Sequence, residues 1–241
     1  MQLSSETKHK IQLVLLLAIA IAAARSGYIL YQRHVDKIES AKKAPPPLEP
    51  DYYVTPKKLH PYDLQSTREL TRQPVWVKEG YRYTCYAYDR ARRHTDFSRP
   101  QGTLLPIERL EIKDVVMDTA AEAPGQHLLM ALFERNGRVL AVQVGVEKDQ
   151  NFQIYSDEIF YIQDPHELYK HWPADVWDSV ARHEVKPGMN ELQADFAIGM
   201  GIPERSGDPA VKTVNYPNDG KPLRITYRDG KAEEIKPGPT A

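Results

Sequence analysis

Residues 185–205, V-K-P-G-M-N-E-L-Q-A-D-F-A-I-G-M-G-I-P-E-R, open the stretch of sequence that decides the fold. Asn190 is a favourable N-cap residue, and Gln193, three positions later, is the partner that completes a capping box. The helix that this signal predicts has apolar residues at every fourth position: Leu192, Phe196 and Met200. Because residues four apart share a helix face, the sequence predicts a short helix that packs through this face.

Two glycines and Pro203 end this helix. Three strand-like segments follow it. The segments are K-T-V-N-Y (212–216), P-L-R-I-T-Y (222–227) and K-A-E-E-I (231–235). An Asp-Gly pair lies between each segment and the next, and this pair favours tight turns because glycine accepts a positive φ. The sequence therefore predicts a three-stranded antiparallel meander after the helix.

The predicted helix and meander form a C-terminal unit, residues 185–241, that resembles the BamE-like (SmpA/OmlA) envelope-protein family. That family combines a Gly-Met entry, a helix, a Gly-x-Pro stop and a three-stranded meander with an Asp-Gly-Lys turn. The matching positions here are Gly188, Met189, Gly201, Pro203, Tyr216, Tyr227, Asp229, Gly230, Lys231 and Ile235. Units of this family are typically binding or scaffolding modules of the cell envelope, some of them in outer-membrane assembly. The resemblance implies an envelope interaction module without catalytic activity.

Composition limits the partners and the chemistry that we expect. Basic and acidic residues nearly cancel, for a formal net charge of -1, so no overall field attracts nucleic acid, and we expect none as a partner. Cys85 is the single cysteine, which excludes an intramolecular disulfide and any metal site built from several cysteines. No cysteine follows the apolar N-terminal run, so we do not expect a lipoprotein. We also expect no cofactor.

The N-terminal segment, residues 1–32, is predicted to be a transmembrane anchor. Residues 11–24 are almost wholly apolar, and the apolar character resumes at residues 28–31 after Arg25. One helix over residues 11–31 would be about 30 Å long, which matches the thickness of a bilayer core. We expect a single-pass inner (cytoplasmic) membrane protein whose C-terminal part is exported to the periplasm.

Two alternatives to this topology remain open. Lys8, Lys10, the apolar run and Ala22-Ala23-Ala24 also fit a cleaved secretory signal, which would release a secreted protein. Arg25 favours cleavage, because a charge within a span is costly. Basic residues flank both ends of the run, so the opposite orientation, with a cytosolic C-terminus, is also compatible with the sequence.

Residues 33–73 are predicted to be a proline-rich linker, and residues 74–184 a β-rich unit. Pro45-Pro46-Pro47 imposes an extended spacer. The strongest strand signal is the hairpin H-L-L-M-A-L-F-E-R-N-G-R-V-L-A-V-Q-V-G-V, in which Asn136-Gly137 favours a two-residue type I′ turn. Four or five antiparallel strands of this kind suggest a small barrel or a curled sheet.

Residues 152–162 are predicted to be a further strand, and two short helices, which begin near Asp164 and Pro173, end the β-rich unit. The fold class is therefore α+β. It combines an N-terminal membrane helix, an antiparallel, barrel-like middle unit and the C-terminal helix with its meander.

Two groups of residues are candidate binding sites. Tyr81, Arg82 and Tyr83 lie in an aromatic segment with a basic loop, a combination that suits single-stranded nucleic acid or a glycan. The interpretation that we favour is a sheet with amphipathic tyrosines, whose basic loop faces solvent or anionic lipid headgroups. His166 and His171 lie among carboxylates but are five residues apart, on different helix faces, so capping explains them better than a metal site.

The sequence contains no phosphate loop, dinucleotide fingerprint, G-x-S-x-G or H-E-x-x-H pattern, so we expect no catalytic, cofactor-binding or metal-binding residues. It favours a non-enzymatic cell-envelope protein, a membrane-anchored scaffold or protein-binding module with an envelope protein as its partner. The alternative is an envelope ligand receptor or enzyme with a pocket between the β-rich unit and the predicted helices of residues 164–185.

Overall fold

The computed structural model describes residues 5–42, 48–119, 125–205, 208 and 210–239; within the first range, the side chains of residues 5–15, 17, 18 and 38–42 are not described. The chain divides into two compact units, residues 1–49 and residues 50–241. The first unit contains helix α1 (Ser5–Lys42), and the second contains the sheets and the remaining helices of the described residues.

Helix α1 covers most of the predicted anchor, of which residues 1–4 lie outside the described residues. Among the residues that the structure describes, no helix is both long enough and apolar enough to cross a membrane. The described side chains of α1 include the polar and charged residues Arg25, Gln32 and Arg33, which lower its hydropathy. The predicted helix is thus confirmed, and its crossing of a membrane stays a prediction.

The second unit is built from short helices and antiparallel strands. The helices after α1 are α2 (Leu64–Thr67), α3 (Ser156–Ile159), α4 (Pro165–Leu168), α5 (Ala174–Ala181) and α6 (Glu191–Ile198). The strands are β1 (Val75–Val77), β2 (Thr84–Asp89), β3 (His94–Thr103), β4 (Arg109–Leu110), β5 (Ile112–Thr119), β6 (Gln126–Arg135), β7 (Arg138–Lys148), β8 (Asn151–Ile154), β9 (Phe160–Tyr161), β10 (Ile202–Pro203), β11 (Val211–Tyr216), β12 (Leu223–Arg228) and β13 (Lys231–Pro237).

These strands form three antiparallel sheets in the described part of the chain. The orders are β3-β2-β7-β6-β5 with β8 also paired to β7, β4-β1-β9, and β10-β11-β12-β13. The predicted α+β class with antiparallel sheets is therefore confirmed. The predicted hairpin is present as β6 and β7, and its turn residues Asn136 (φ 52°) and Gly137 (φ 72°) adopt the positive φ that a type I′ turn needs.

The largest sheet is not a closed barrel, which corrects the barrel-like prediction. Strands β3 and β5 are its two edges, and no backbone pairing joins them in the described residues. The edges nevertheless approach each other, because the Asp118 carboxylate of β5 accepts hydrogen bonds from the Thr95 N–H (2.5 Å) and from His94 Nδ1 (2.8 Å), both in β3. The buried Asp118 side chain thus joins the two edges of a strongly curled sheet. In a closed barrel, backbone hydrogen bonds would join these edges instead.

Hydrogen bonds hold Asp118 in its charged form at this bridge. Burial alone would raise its pKa, but the bonds from Thr95, Thr119 and His94 outweigh that effect and lower the pKa of the carboxyl below its ordinary value. A carboxylate with a lowered pKa stabilises the fold at neutral pH and loses this contribution as the pH falls through its folded pKa. The bridge is therefore strongest at neutral pH.

Three hydrophobic clusters lie in the described part of the second unit: a small one of Met130, Leu132 and Ala141, and two larger cores. The first core lies against the large sheet and includes Val75, Val77, Cys85, Leu104, Leu129, Phe133, Val142, Ile159 and Phe160. The second core includes Tyr161, Tyr169, Trp172, Val176 and Val180 together with Phe196, Ile198, Val214, Tyr216, Ile225 and Tyr227. Residues that precede position 185 thus complete the core of the C-terminal sheet. The predicted boundary between 184 and 185 does not separate two cores.

Residues 50–72 pack against the rest of the second unit. The sequence was interpreted as a linker as far as residue 73. A 3-10 helix at Pro50–Tyr53 presents Asp51, whose carboxylate accepts hydrogen bonds from Trp172 Nε1 (2.6 Å) and Asn190 Nδ2 (2.6 Å). Further along, Thr67 and Leu70 are buried. We call residues 50–72 the strap. The triple proline, at residues 45–47, lies outside the described residues.

Side-chain acceptors hold the backbone of the strap. The Asp157 carboxylate accepts from the N–H groups of Leu59 (3.0 Å) and His60 (2.7 Å), and Gln163 Oε1 accepts from the N–H of Lys57 (2.8 Å). A segment without helical or strand periodicity therefore obtains its hydrogen bonds from side chains elsewhere in the fold. The periodicity of the strap sequence did not indicate these hydrogen bonds.

Other local predictions are corrected by the backbone. The predicted strand over residues 152–162 is split into β8, α3 and β9. The sheet with amphipathic tyrosines does not include Tyr81 or Tyr83 in its strand, because Tyr81 has φ 70° and β2 begins at Thr84. At the C-terminal sheet, β10 adds a fourth strand to the three predicted.

The capping box of α6 is confirmed, because the Asn190 side chain accepts from the N–H of Gln193 (2.9 Å) and the Gln193 side chain accepts from the N–H of Asn190 (2.9 Å). The predicted apolar face is partly wrong. Gly199, with φ 80°, ends the helix before Met200, which is exposed. The buried residues of α6 are Gln193, Ala194, Phe196, Ala197 and Ile198.

Candidate functional site

A surface cleft lies between the loop that joins β3 to β4 and the helical segment of α4, α5 and the turn after α5. Its volume is about 260 Å³. Six of its nine lining residues are apolar, and the full set is Leu105, Pro106, Ile107, Glu108, His166, Trp177, Val180, Ala181 and His183. We call it the Trp177 cleft. A concave, mainly apolar surface with a few polar groups is the usual form of a binding site.

Helix α5 positions Trp177 at the border between the cleft and the second core. Val176 and Val180 of this helix are buried, whereas Trp177 is half-buried. The Trp177 ring packs against Trp172, with centroids 5.1 Å apart, and stacks on the His166 ring at 4.0 Å with an interplanar angle of 25°. Aromatic contacts on two sides therefore fix the orientation of the indole that the cleft presents.

The opposite wall of the cleft has a strained backbone. Ile107 has φ 56°, a conformation that is rare for a β-branched residue. Its N–H donates to the Val77 carbonyl (3.0 Å), and the Val77 N–H donates to the Glu108 carbonyl (3.0 Å), so the strain is held by bonds to β1. Strained residues of this kind concentrate at functional sites, where the surrounding structure imposes them.

Glu108 in the same wall is fully engaged. Arg135 Nε donates to Glu108 Oε1 (3.0 Å) and Arg135 Nη2 to Oε2 (2.5 Å), a bidentate ion pair with both side chains largely buried. The Leu105 N–H also donates to Oε2 (3.1 Å). This carboxylate thus ties the loop wall to Arg135.

The residues predicted as binding sites are not brought together. Tyr81 lies beside His183, with ring centroids 6.1 Å apart, and Arg82 forms an exposed ion pair with Glu79 (3.3 Å). Tyr83 packs on the first core, and burial raises the pKa of its hydroxyl. Each of these three side chains thus has a different neighbour: His183, Glu79 and the first core.

The two predicted histidines lie at different ends of an aromatic cluster. His166 stacks on Trp177 in the cleft, whereas His171 contacts Trp172 and its Nε2 is 2.5 Å from Asp51 Oδ1 of the strap. His166 thus belongs to the candidate site, and His171 belongs to the contact that holds the strap.

Sequence reasoning missed the loop wall, residues 105–108, and the role of Trp177. Trp177 carried a helical-spacing signal, which indicated packing in general. The positive φ of Ile107 had no sequence signal, because isoleucine is not a residue that favours this conformation. His183 in the same cleft also has a positive φ, 54°.

The described residues contain no group of three or more His, Cys, Asp or Glu side chains placed to hold a metal ion. Cys85 is buried, and burial raises the pKa of its thiol to about 12, which removes the thiolate at neutral pH. No protein-family model, curated protein or solved structure matches this chain.

Proposed function

We propose that this protein is a non-enzymatic protein-binding module of the cell envelope, which binds its partner through the Trp177 cleft. The observation that carries the proposal is a preformed apolar cleft with a fixed indole at its edge. Tryptophan side chains in such positions dominate the energy of many protein interfaces, because they combine a large apolar area with few rotatable bonds.

The cleft is also built on rigid elements. One wall is held to β1 by backbone bonds and by the Glu108–Arg135 pair, and the other is helix α5, packed on the second core. A rigid site reduces the entropy that a partner must lose on binding. These features support a scaffold that captures an exposed apolar side chain of another protein.

The envelope location and membrane anchorage come from the sequence. The apolar run at residues 11–24 and the resemblance of residues 185–241 to the BamE-like family both favour export. Cell fractionation and sequencing of the mature N-terminus test this part of the proposal. We expect the protein in the membrane fraction with residues 1–32 retained, whereas recovery in the cytosolic fraction would refute it.

A second candidate, a receptor for a small envelope ligand, is favoured by the two imidazoles of His166 and His183 in the cleft. Polar groups in an apolar cleft fix the orientation of small molecules as well as of side chains. A partner protein and a small ligand would compete for the same surface, and only a partner protein gives the Trp177-dependent protein recovery of the experiment below.

Trp177→Ala is expected to reduce recovery of the partner at least tenfold when the full-length protein is cross-linked gently and isolated from envelope extract. The reason is the loss of the indole from the cleft, and hot-spot truncations typically cost about 2 kcal/mol or more. The matched control is Tyr62→Ala, which removes an exposed aromatic residue of the strap away from the cleft lining. Equal recovery of the same proteins by both variants would contradict the proposal.

A further inference from the structure

The Trp177 cleft offers a ligand the imidazole rings of two histidines, His166 and His183. His166 Nδ1 is 3.0 Å from Asp164 Oδ1, and His183 Nδ1 is 2.9 Å from the Ala197 carbonyl oxygen. Carboxylate and carbonyl oxygens only accept hydrogen bonds, so in each neutral imidazole the hydrogen lies on Nδ1. Each Nε2 is then an acceptor.

Neither Nε2 atom is engaged within the described part of the chain, where the hydrogen bonds of both rings involve Nδ1. The remaining polar lining residue, Glu108, is occupied by Arg135 and by the Leu105 N–H. With both rings neutral, the cleft combines apolar walls with two acceptors that no described residue uses, and a ligand that carries a donor complements them.

We propose that the Trp177 cleft selects an aromatic side chain that carries its own hydrogen-bond donor, the indole of a partner's tryptophan or the phenol of a tyrosine. This inference rests on the proposed protein-binding function and specifies the partner residue. The apolar walls take the ring, and Nε2 of His166 or His183 accepts from its N–H or O–H. A phenylalanine side chain would bury an imidazole nitrogen without a partner, which costs binding free energy.

The stack of His166 on Trp177 supports this selection. Contact with the indole and the bond to Asp164 together fix the plane and the rotation of the His166 ring. The bond to Ala197 fixes His183 in the same way, at a residue whose backbone is held at φ 54°. Oriented acceptors discriminate between ligands better than mobile ones, because the geometry of the bond is set in advance.

The test compares two probes that differ by one donor: N-acetyl-tryptophanamide and its analogue methylated at the indole nitrogen. Each is titrated into the full-length protein, and binding is followed by the NMR shifts of the Leu105 and Val180 methyl groups in the cleft walls. We expect the parent probe to bind at least about fivefold more tightly, the size of one hydrogen bond in a partly buried site. N-acetyl-phenylalaninamide should bind as weakly as the methylated probe.

The variants His166→Phe and His183→Phe identify which histidine accepts the hydrogen bond. Each variant keeps an aromatic ring and removes the Nε2 acceptor. We expect the fivefold preference to be lost in at least one of them. His166 is largely exposed, so His166→Phe should fold, and thermal melting checks His183→Phe. Equal binding of the two tryptophan probes, or a preference that survives in both variants, would overturn the inference. If the Trp177-dependent capture of a protein partner persists in that case, the proposed function stands and only the donor selection fails.

Discussion

Gly80→Ala is expected to lower the free energy of unfolding by about 3 kcal/mol or more, the upper range for overpacking a close-packed interior. A Cβ atom at position 80 would lie 2.1 Å from the Pro106 nitrogen and 2.2 Å from the Leu105 carbonyl carbon. These are backbone atoms, so no side-chain rotation relieves the clash. Urea denaturation measures the loss.

The effect of Gly80→Ala should also reach the cleft, because Leu105 and Pro106 form part of its wall. Gly188→Ala is the matched control, since a Cβ there meets nothing within 4 Å and only the φ of +88° opposes it. That strain costs about 1 to 2 kcal/mol. An equal loss of stability in the two variants would show that the backbone of Leu105 and Pro106 does not lie this close to Gly80.

Asp195→Asn is expected to change how stability depends on pH. Burial is the main reason that the pKa of Asp195 is raised to about 7, and the nearby charges of Glu191 and Glu79 act in the same direction. Hydrogen bonds from the Tyr216 hydroxyl and the Gly201 N–H oppose this shift without cancelling it. Asp195 Oδ1 is buried and has no hydrogen-bond partner among the described residues.

The sign of the effect follows from the raised pKa. The folded protein binds the Asp195 proton more tightly than the unfolded chain does, so this group favours folding most at low pH. Its contribution declines as the pH rises above the unfolded value of 3.8 and is lost once the pH passes about 7. The difference between the two pKa values corresponds to roughly 4 kcal/mol. Asparagine is neutral throughout and avoids this penalty.

We therefore expect Asp195→Asn to be markedly more stable than the wild type at pH 9 and of similar stability at pH 4. Urea denaturation at the two pH values measures this, with Asp175→Asn, an exposed position, as the control that should change little at either. A stability difference that is the same at pH 4 and pH 9 would contradict a buried, protonatable Asp195.

Local signals in the sequence predicted the elements that depend on local chemistry. The capping box of Asn190 and Gln193, the turn at Asn136-Gly137 and the cap at Asp164 each need only a few adjacent residues with suitable side chains or backbone freedom. The meander was predicted for the same reason, although only Asp229-Gly230 forms a two-residue turn, and a 3-10 helix at Asn218–Gly220 joins β11 to β12.

Features that depend on residues distant in sequence were not predicted. The Asp118 bridge joins positions on opposite edges of a sheet, and Asp51 reaches Trp172 and Asn190 across more than 100 residues. The Trp177 cleft likewise combines a loop at residues 105–108 with a helix some 70 residues later. Such contacts follow from tertiary packing, and a single sequence contains no periodicity that reports them.

Photo-cross-linking from the rim of the cleft tests the central claim most directly. A photoreactive phenylalanine derivative is placed at Ala181 in the lining, and for comparison at Lys221, an exposed residue in the loop between β11 and β12. We predict that irradiation of intact cells yields a discrete protein adduct from position 181, that Trp177→Ala abolishes it, and that position 221 does not produce it. The same adducts from both positions, or an adduct at 181 that is indifferent to Trp177→Ala, would contradict binding through the Trp177 cleft.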